Sequence, residues 1–205
     1  MPRRVKDGYK RPLDLALLLA SHVALSWLFI PLWIVIPAII WLQDRGPIFY
    51  AQQRAGKHGK PFRILKFRTM VPDADKLGPA WTVTGDRRTT AFGRVLRKTA
   101  LDEMPSLLSI LQGHMSWVGP RALNVPEQAA LEQTIPGFRD RLAVSPGLTG
   151  LSQLYNREDA AEEKIEWDRR YIQTMSPWLD VRLIVLSVLR TFTARWDTRG
   201  GKTRQ

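Results

Sequence analysis

Leu15 to Leu42, "LALLLASHVALSWLFIPLWIVIPAIIWL", is a run of 28 residues without Asp, Glu, Lys or Arg. That pattern predicts a membrane helix. It fits a signal peptide poorly, because the apolar part is too long and no small-residue cleavage site follows. A straight helix of this length would measure about 42 Å, against about 30 Å of hydrocarbon. Pro31 and Pro37 lie inside the run. Each removes an amide donor and invites a kink. The flanks are basic at both ends: Arg3, Arg4, Lys6, Lys10 and Arg11 before, and Arg45, Arg54, Lys57 and Lys60 after. A helix that dips in and returns to one face satisfies both flanks. A single tilted crossing accommodates the length equally well. The backbone groups freed at Pro31 need partners, and Ser21 or Ser26 can supply a hydroxyl. Asp14, just before the run, is expected to cap a helix or to pair with Arg11.

Beyond residue 45 the pattern changes. "GPIFYAQQRAGKHGKPFRILKFRTM" predicts a hairpin, with strands at Ile48–Gln52 and Phe62–Thr69 around a turn-rich "RAGKHGK". On the second strand Ile64, Lys66 and Arg68 share one face, so two cations can address one anion. "PGLTGLSQL" carries a turn signal at Pro146, Gly147 and Gly150. Glu162 to Met175 predicts a charged helix, on which Asp168 reads as a solvated acid. In "PWLDVRLIVLSVLRTFTARW", Val181, Ile184, Val185, Val188 and Leu189 recur at helical spacing between Trp178 and Trp196. This predicts a core helix or one lying in a membrane interface, with Arg182 and Arg190 reaching towards headgroups.

Charge narrows the partners. The 31 Lys+Arg against 19 Asp+Glu leave +12 on 205 residues. From Arg54 to Lys98 there are twelve Lys/Arg and three acids, Asp73, Asp75 and Asp86. A polyanion is the expected partner: nucleic acid, an anionic membrane, or a phosphorylated small molecule. The spacing of zinc fingers, the heptads of a basic zipper and an RNP-like aromatic motif are all missing. There is no cysteine, and His22, His58 and His114 show no metal-ligand spacing. A cationic cup for a diphosphate at a negatively charged membrane surface fits better than a nucleic-acid groove.

Against that background "RKTALDEMPSLL", 97 to 108, sets Asp102 and Glu103 beside Arg97 and Lys98. Two readings stand. Thr99 to Asp102 resembles a capping box, so the acids can simply open a helix over Pro105–Leu111. Alternatively, an ionised carboxylate there can attack phosphorus, and the pair can hold Mg²⁺ through a few oxygens.

"KFRTM" (66–70), "LRKTALDEMPSLLSILQGHMSWVGPR" (96–121), "SPGLTGLSQL" (145–154) and "WLDVRLIVLSVL" (178–189) follow one another as in the bacterial sugar transferases. The chain resembles the small monotopic phosphoglycosyl transferases, from about Lys10 to Arg190. The resemblance implies an α+β, helix-rich fold, with a re-entrant membrane helix broken near Pro31 (residues 1–44). It implies a small catalytic domain with interfacial amphipathic helices on the cytoplasmic face of the inner membrane (45–196) and a basic tail (197–205). It further implies transfer of a sugar phosphate from a UDP-sugar to polyprenol (undecaprenyl) phosphate, with release of UMP. The implied route is ping-pong with Mg²⁺, and the step opens polysaccharide or glycoconjugate synthesis.

By position, Asp102 resembles the family's nucleophile and Glu103 its partner at the metal. Lys66, Arg68 and Arg97 match positions that touch the diphosphate. Pro120 and Arg121 match the start of a Pro-Arg-Pro motif linked with the nucleotide, and Asp168 matches a further acidic position. Three departures stand out: Ile30 rather than Ser before Pro31, Ala122 rather than Pro after Arg121, and Ser145 rather than Arg before "PGLTG". The implied partners are membrane lipid and the two substrates, with no nucleic acid; the oligomeric state is not set by the sequence. The rival classes are a membrane-anchored nucleic-acid binder, and a scaffold that recruits partners to an anionic membrane.

Overall fold

The computed structural model describes residues 7–78, 86–156 and 160–192. The long apolar run forms two helices, α1 (Lys10–Ala24) and α2 (Ser26–Asp44), broken at Leu25. The break thus precedes Pro31, contrary to expectation, and both prolines lie inside α2. Pro31 and Pro37 still remove the amides that would bond the carbonyls of Trp27 and Trp33. The break itself rests on other groups. Leu25 leaves the helical region at φ −112°, and its carbonyl then accepts from the amides of Leu28 and Phe29. Ser21 donates to Leu18 O and Ser26 to Val23 O. These hydroxyls therefore serve the last turns of α1, not the groups freed at Pro31.

Both arms of the pair rest on the same body. Leu18 of α1 packs with Phe62, Ile64, Leu107 and Ile110. Ile36 and Ile40 of α2 pack with Phe67, Leu96 and Met104. Near the bend the apolar side chains face outwards, with Trp27 71% exposed and Leu19, Val23, Ile30 and Ile34 similarly bare. By length and composition α2 is long and apolar enough to cross a membrane.

Asp14 neither caps α1 nor meets Arg11. Its carboxylate accepts from the Ser116 hydroxyl at 2.8 Å and the Trp117 amide at 3.0 Å. Arg11 instead donates to the carbonyls of Ile110 and Leu111. One turn earlier Lys10 is buried, donating to Val118 O, Tyr171 and Asp180. The root of α1 is thereby bolted through polar bonds to the body, while the bend is held by none of them.

The hairpin pairs β1 (Phe49–Ala55) with β2 (Pro61–Phe67), in a register that sets Tyr50 opposite Lys66 and Arg54 opposite Phe62. Then come α3 (Ala91–Thr99), a 3-10 turn over Leu101–Ser106 and α4 (Leu107–Leu111). Next are β3 (Ser116–Val118), α5 (Val125–Thr134), β4 (Gly147–Thr149) and α6 (Leu151–Tyr155), followed by α7 (Ala161–Thr174) and α8 (Pro177–Phe192). The fold is α+β and helix-rich, as expected, with two two-stranded sheets among the described residues.

Gly147 lies in β4, parallel to β3, where a turn was expected. A Cβ there would fall 2.0 Å from Gly119 N, so only glycine admits this pairing. Helix α8 has the core face that was expected and an exposed apolar face opposite. Leu183 is buried in the core with Val118, Val144 and Tyr171, while Trp178, Val185, Val188 and Leu189 are exposed. Trp196 and the basic tail lie outside the described residues.

Candidate active site

Strand β2 carries Lys66 into a shallow, half-open cleft lined by Arg54, Ile64, Lys66, Glu103, Arg121 and Leu148 among others. Arg54 joins it because cross-strand partners face the same side, which puts Tyr50, Arg54, Ile64 and Lys66 on one face of the hairpin. Helix α3 is capped at Thr90, whose hydroxyl accepts from the Gly93 amide at 2.9 Å. Gly93 lets the helix lie against the hairpin's end, since a Cβ there would fall 2.0 Å from Thr69 O. Two turns on, Arg97 donates through Nε to the Thr69 hydroxyl at 2.8 Å.

Helix α3 ends at Ala100, in the left-handed region at φ 56°. That conformation is rare for a residue with a Cβ and marks a held corner. The chain then enters the 3-10 turn with Asp102 and Glu103 at its head. The Ser106 hydroxyl pins this turn to Leu65 O at 2.9 Å. Thr99 takes no part in a capping box: it occupies the last turn of α3 and donates back to Val95 O and Leu96 O. The expected helix over Pro105–Leu111 is in fact 3-10 up to Ser106 and α-helical only from Leu107.

The two carboxylates differ. Glu103 accepts from Lys66 Nζ. Burial pushes its carboxyl up, but Lys66, Arg121 and Arg54 outweigh burial and hold it below the usual range. Asp102 is pushed up to about 6, first by burial and then by the Glu103 charge, against the pull of Lys66 and Arg97. The sequence argument made Asp102 readily ionised beside Arg97 and Lys98. The structure half-buries it at the head of the 3-10 turn, and Lys98 is exposed on α3. Asp102 still ionises at neutral pH, as a more basic and less solvated carboxylate than a surface one.

The other expected site residues divide. Arg121 lines the cleft, fixed by a bridge to Gly147, and the carbonyl of buried Pro120 accepts from the Gly147 amide. Arg68 points elsewhere. It lies just past the end of β2 and is buried, with its guanidinium forked on Asp44 and bonded to Pro47 O and Met70 O. The expected pairing of Lys66 and Arg68 on one anion is not the arrangement seen, because the strand's alternation stops at Phe67; Arg68 ties the end of α2 to the hairpin.

Asp168 is 1% exposed, which corrects the expectation of a solvated acid, and it is not among the residues that line the cleft. It accepts from Arg141 Nε at 2.8 Å. Arg141 also donates to Gln128 Oε1 at 3.0 Å and to Arg121 O at 2.8 Å. Asp168 therefore acts on the cleft only through Arg141 and the Arg121 backbone. Arg54 was counted in the sequence only as a basic flank, and Arg141 not at all. Alternation along β1, which puts Arg54 on the face of Tyr50, was the signal for Arg54; "FRDRL" offers none for Arg141.

The bacterial sugar transferase family model matches residues 5–194. The chain belongs to the bacterial sugar transferase family. Among relatives of this sugar transferase, a UDP-N-acetylgalactosamine-undecaprenyl-phosphate N-acetylgalactosaminephosphotransferase of Aeromonas hydrophila is 36% identical over 97% of this chain and 47% of its own length. A UDP-glucose:undecaprenyl-phosphate glucose-1-phosphate transferase of Caulobacter vibrioides is 37% identical over 92% of this chain and 71% of its own. The exopolysaccharide production protein PSS of Rhizobium leguminosarum bv. phaseoli is 35% identical over 90% of this chain and 95% of its own. The sugar transferase thus spans about half of the first relative and nearly all of the third.

Proposed function

We propose that this sugar transferase passes a sugar phosphate from a UDP-sugar to undecaprenyl phosphate by a ping-pong route. A carboxylate oxygen of Asp102 attacks the sugar-bearing phosphorus. The bond from that phosphorus to the bridging oxygen breaks, and UMP leaves with that oxygen. An oxygen of the acceptor phosphate then attacks the same phosphorus, the acyl-phosphate bond breaks, and Asp102 is regenerated. The observation that carries this reading is a cleft lined by Glu103 with Arg54, Lys66 and Arg121, with Asp102 next to Glu103 at the head of the 3-10 turn, beside the roots of an apolar helical pair. Such inward-facing charge suits a compact phosphate better than a polymer backbone.

The donor set fits Mg²⁺. Two neighbouring carboxylates are what this ion takes when phosphate oxygens and water complete its shell. Among the described residues no group of three His, Cys, Asp or Glu forms a closed cage. Asp102 and Glu103 would hold the ion, which when bound would offset the repulsion between carboxylate and diphosphate.

The helical pair is read as a re-entrant membrane element on the cytoplasmic face. Its support is that both roots lie on one body while the bend exposes apolar side chains. Val23→Asp combined with Trp27→Asp places two charges at the bend, each costing about 2.5–3.5 kcal/mol in hydrocarbon. Much of the protein is then expected in the soluble fraction after cell lysis. An undiminished membrane fraction would reject the embedding.

Lys66→Ala removes the direct partner of Glu103. We expect UDP-sugar affinity to fall about tenfold or more, in keeping with a lost charge-assisted bond, with the melting temperature nearly unchanged. Calorimetric titration of the folded variant checks this. The reaction itself is tested by incubating purified protein with a panel of UDP-sugars, undecaprenyl phosphate and Mg²⁺, and following UMP. No UMP from any donor would overturn the proposal.

A further inference from the structure

Arg54 is unusual among the cleft cations. One terminal amine, Nη1, donates to Ala122 O at 3.0 Å, yet its buried Nε has no partner. A buried guanidinium N–H without an acceptor is costly and points to a missing anion. Arg54 also lies within the field of Arg121, and burial together with that like charge lowers its pKa. The acids in reach do not fill the gap. Glu103 is engaged by Lys66. Glu127 bonds Asn124 through its carboxylate and its amide.

The charges are also ordered in space. Arg54, Lys66, Glu103 and Arg121 line the cleft together, whereas Asp102 and Arg97 are outside its lining, Arg97 being bonded to the Thr69 hydroxyl. The two arginines therefore lie on the Glu103 side of the pair. In-line displacement at phosphorus puts nucleophile and leaving group on opposite sides. With Asp102 attacking, the departing group lies towards Arg54 and Arg121.

We infer that Arg54 and Arg121 form a single phosphate-monoester subsite, used in turn by the departing nucleotide phosphate and by the incoming acceptor phosphate. The inference rests on the transfer reaction proposed above. Microscopic reversibility requires both groups to bond the same phosphorus from the same side. The nucleotide phosphate gains negative charge as its bond breaks, so the arginine pair binds it more tightly in the transition state than in the donor. The acceptor then enters a site already shaped for a dianion.

The test is equilibrium binding, which needs no turnover. UMP, uridine and a short-chain, detergent-soluble isoprenyl monophosphate are each titrated into the purified full chain. In Arg54→Ala, affinity for UMP and for the isoprenyl phosphate is expected to fall at least tenfold; any uridine binding should hold. Arg54→Lys should recover part of the loss, and UMP should displace the isoprenyl phosphate from the parent protein. Arg121→Ala serves as a second variant should Arg54→Ala fold poorly, and must show the same pattern. Unchanged UMP affinity in a folded variant would overturn the subsite. Simultaneous binding of UMP and isoprenyl phosphate would overturn its shared use. Failure of the transfer reaction would instead appear as no UMP release from UDP-sugars by the parent.

Discussion

Asp102→Asn is expected to reduce UMP release at least a thousandfold while leaving the protein as stable as the parent or more so. The carboxamide keeps the shape of the side chain but loses the oxygen proposed to attack phosphorus, and Glu103 is held by Lys66. The stability half follows from the environment. Asp102 is raised from its ordinary value of 3.8 to about 6 by burial and by the Glu103 charge. A carboxyl raised on folding contributes stability that is fully present below the unfolded pKa, near 3.8, and lost as pH rises through about 6. At pH 7.5 the ionised group therefore opposes folding, and the neutral amide relieves it by about 1–2 kcal/mol, after allowance for solvent screening. Thermal melts at pH 7.5 check the sign; a lower melting temperature for the variant would contradict it. The same titration sets a pH profile. Release of UMP by the parent should fall as pH drops through about 6, where Asp102 takes up a proton.

Arg141→Ala should be the most destabilising of these substitutions, by about 3–5 kcal/mol, because it strands a buried charge. Asp168 and Arg141 are each 1% exposed. Removing the guanidinium leaves the carboxylate without its partner and releases Gln128 Oε1 and Arg121 O as well. Asp168→Ala should cost a similar amount for the mirror reason. The double variant Arg141→Ala with Asp168→Ala should be markedly more stable than the sum of the single losses, since neither charge remains. Chemical denaturation of all four forms measures the coupling, and additive losses would reject the pair as one unit. Where the variants still fold, UMP affinity and the turnover of bound donor should fall together, because Arg141 holds Arg121, which contacts the leaving phosphate more strongly as its charge develops.

How much of this was legible in the chain differs from element to element. The apolar run announced a membrane-directed helix because its composition leaves water no charged side chain to solvate. Its break was misplaced, since a proline weakens a helix without dictating where the chain yields; the back-bonding serines around Leu25 share in that choice. The hairpin was visible from alternation and turn residues, but its register was not. That register determines that Arg54, and not Arg68, joins Lys66. "LDEMP" drew attention because adjacent acids among cations are electrostatically conspicuous, although the local signs of a helix cap were misleading.

Local sequence was sufficient to decide the class of the molecule. A long uncharged stretch, a dense basic segment and an acidic pair next to it are properties of the chain itself, and water, lipid and phosphate respond to them whatever the fold. Tertiary structure alone decided which charges meet. Asp168 and Arg141 lie 27 residues apart, and Lys66 and Glu103 lie 37 apart. Burial, which raises Asp102 and conceals Asp168, is likewise a property of the packed body. Propensity and spacing act over a few residues, whereas solvation and charge pairing are settled only when distant segments exclude water together.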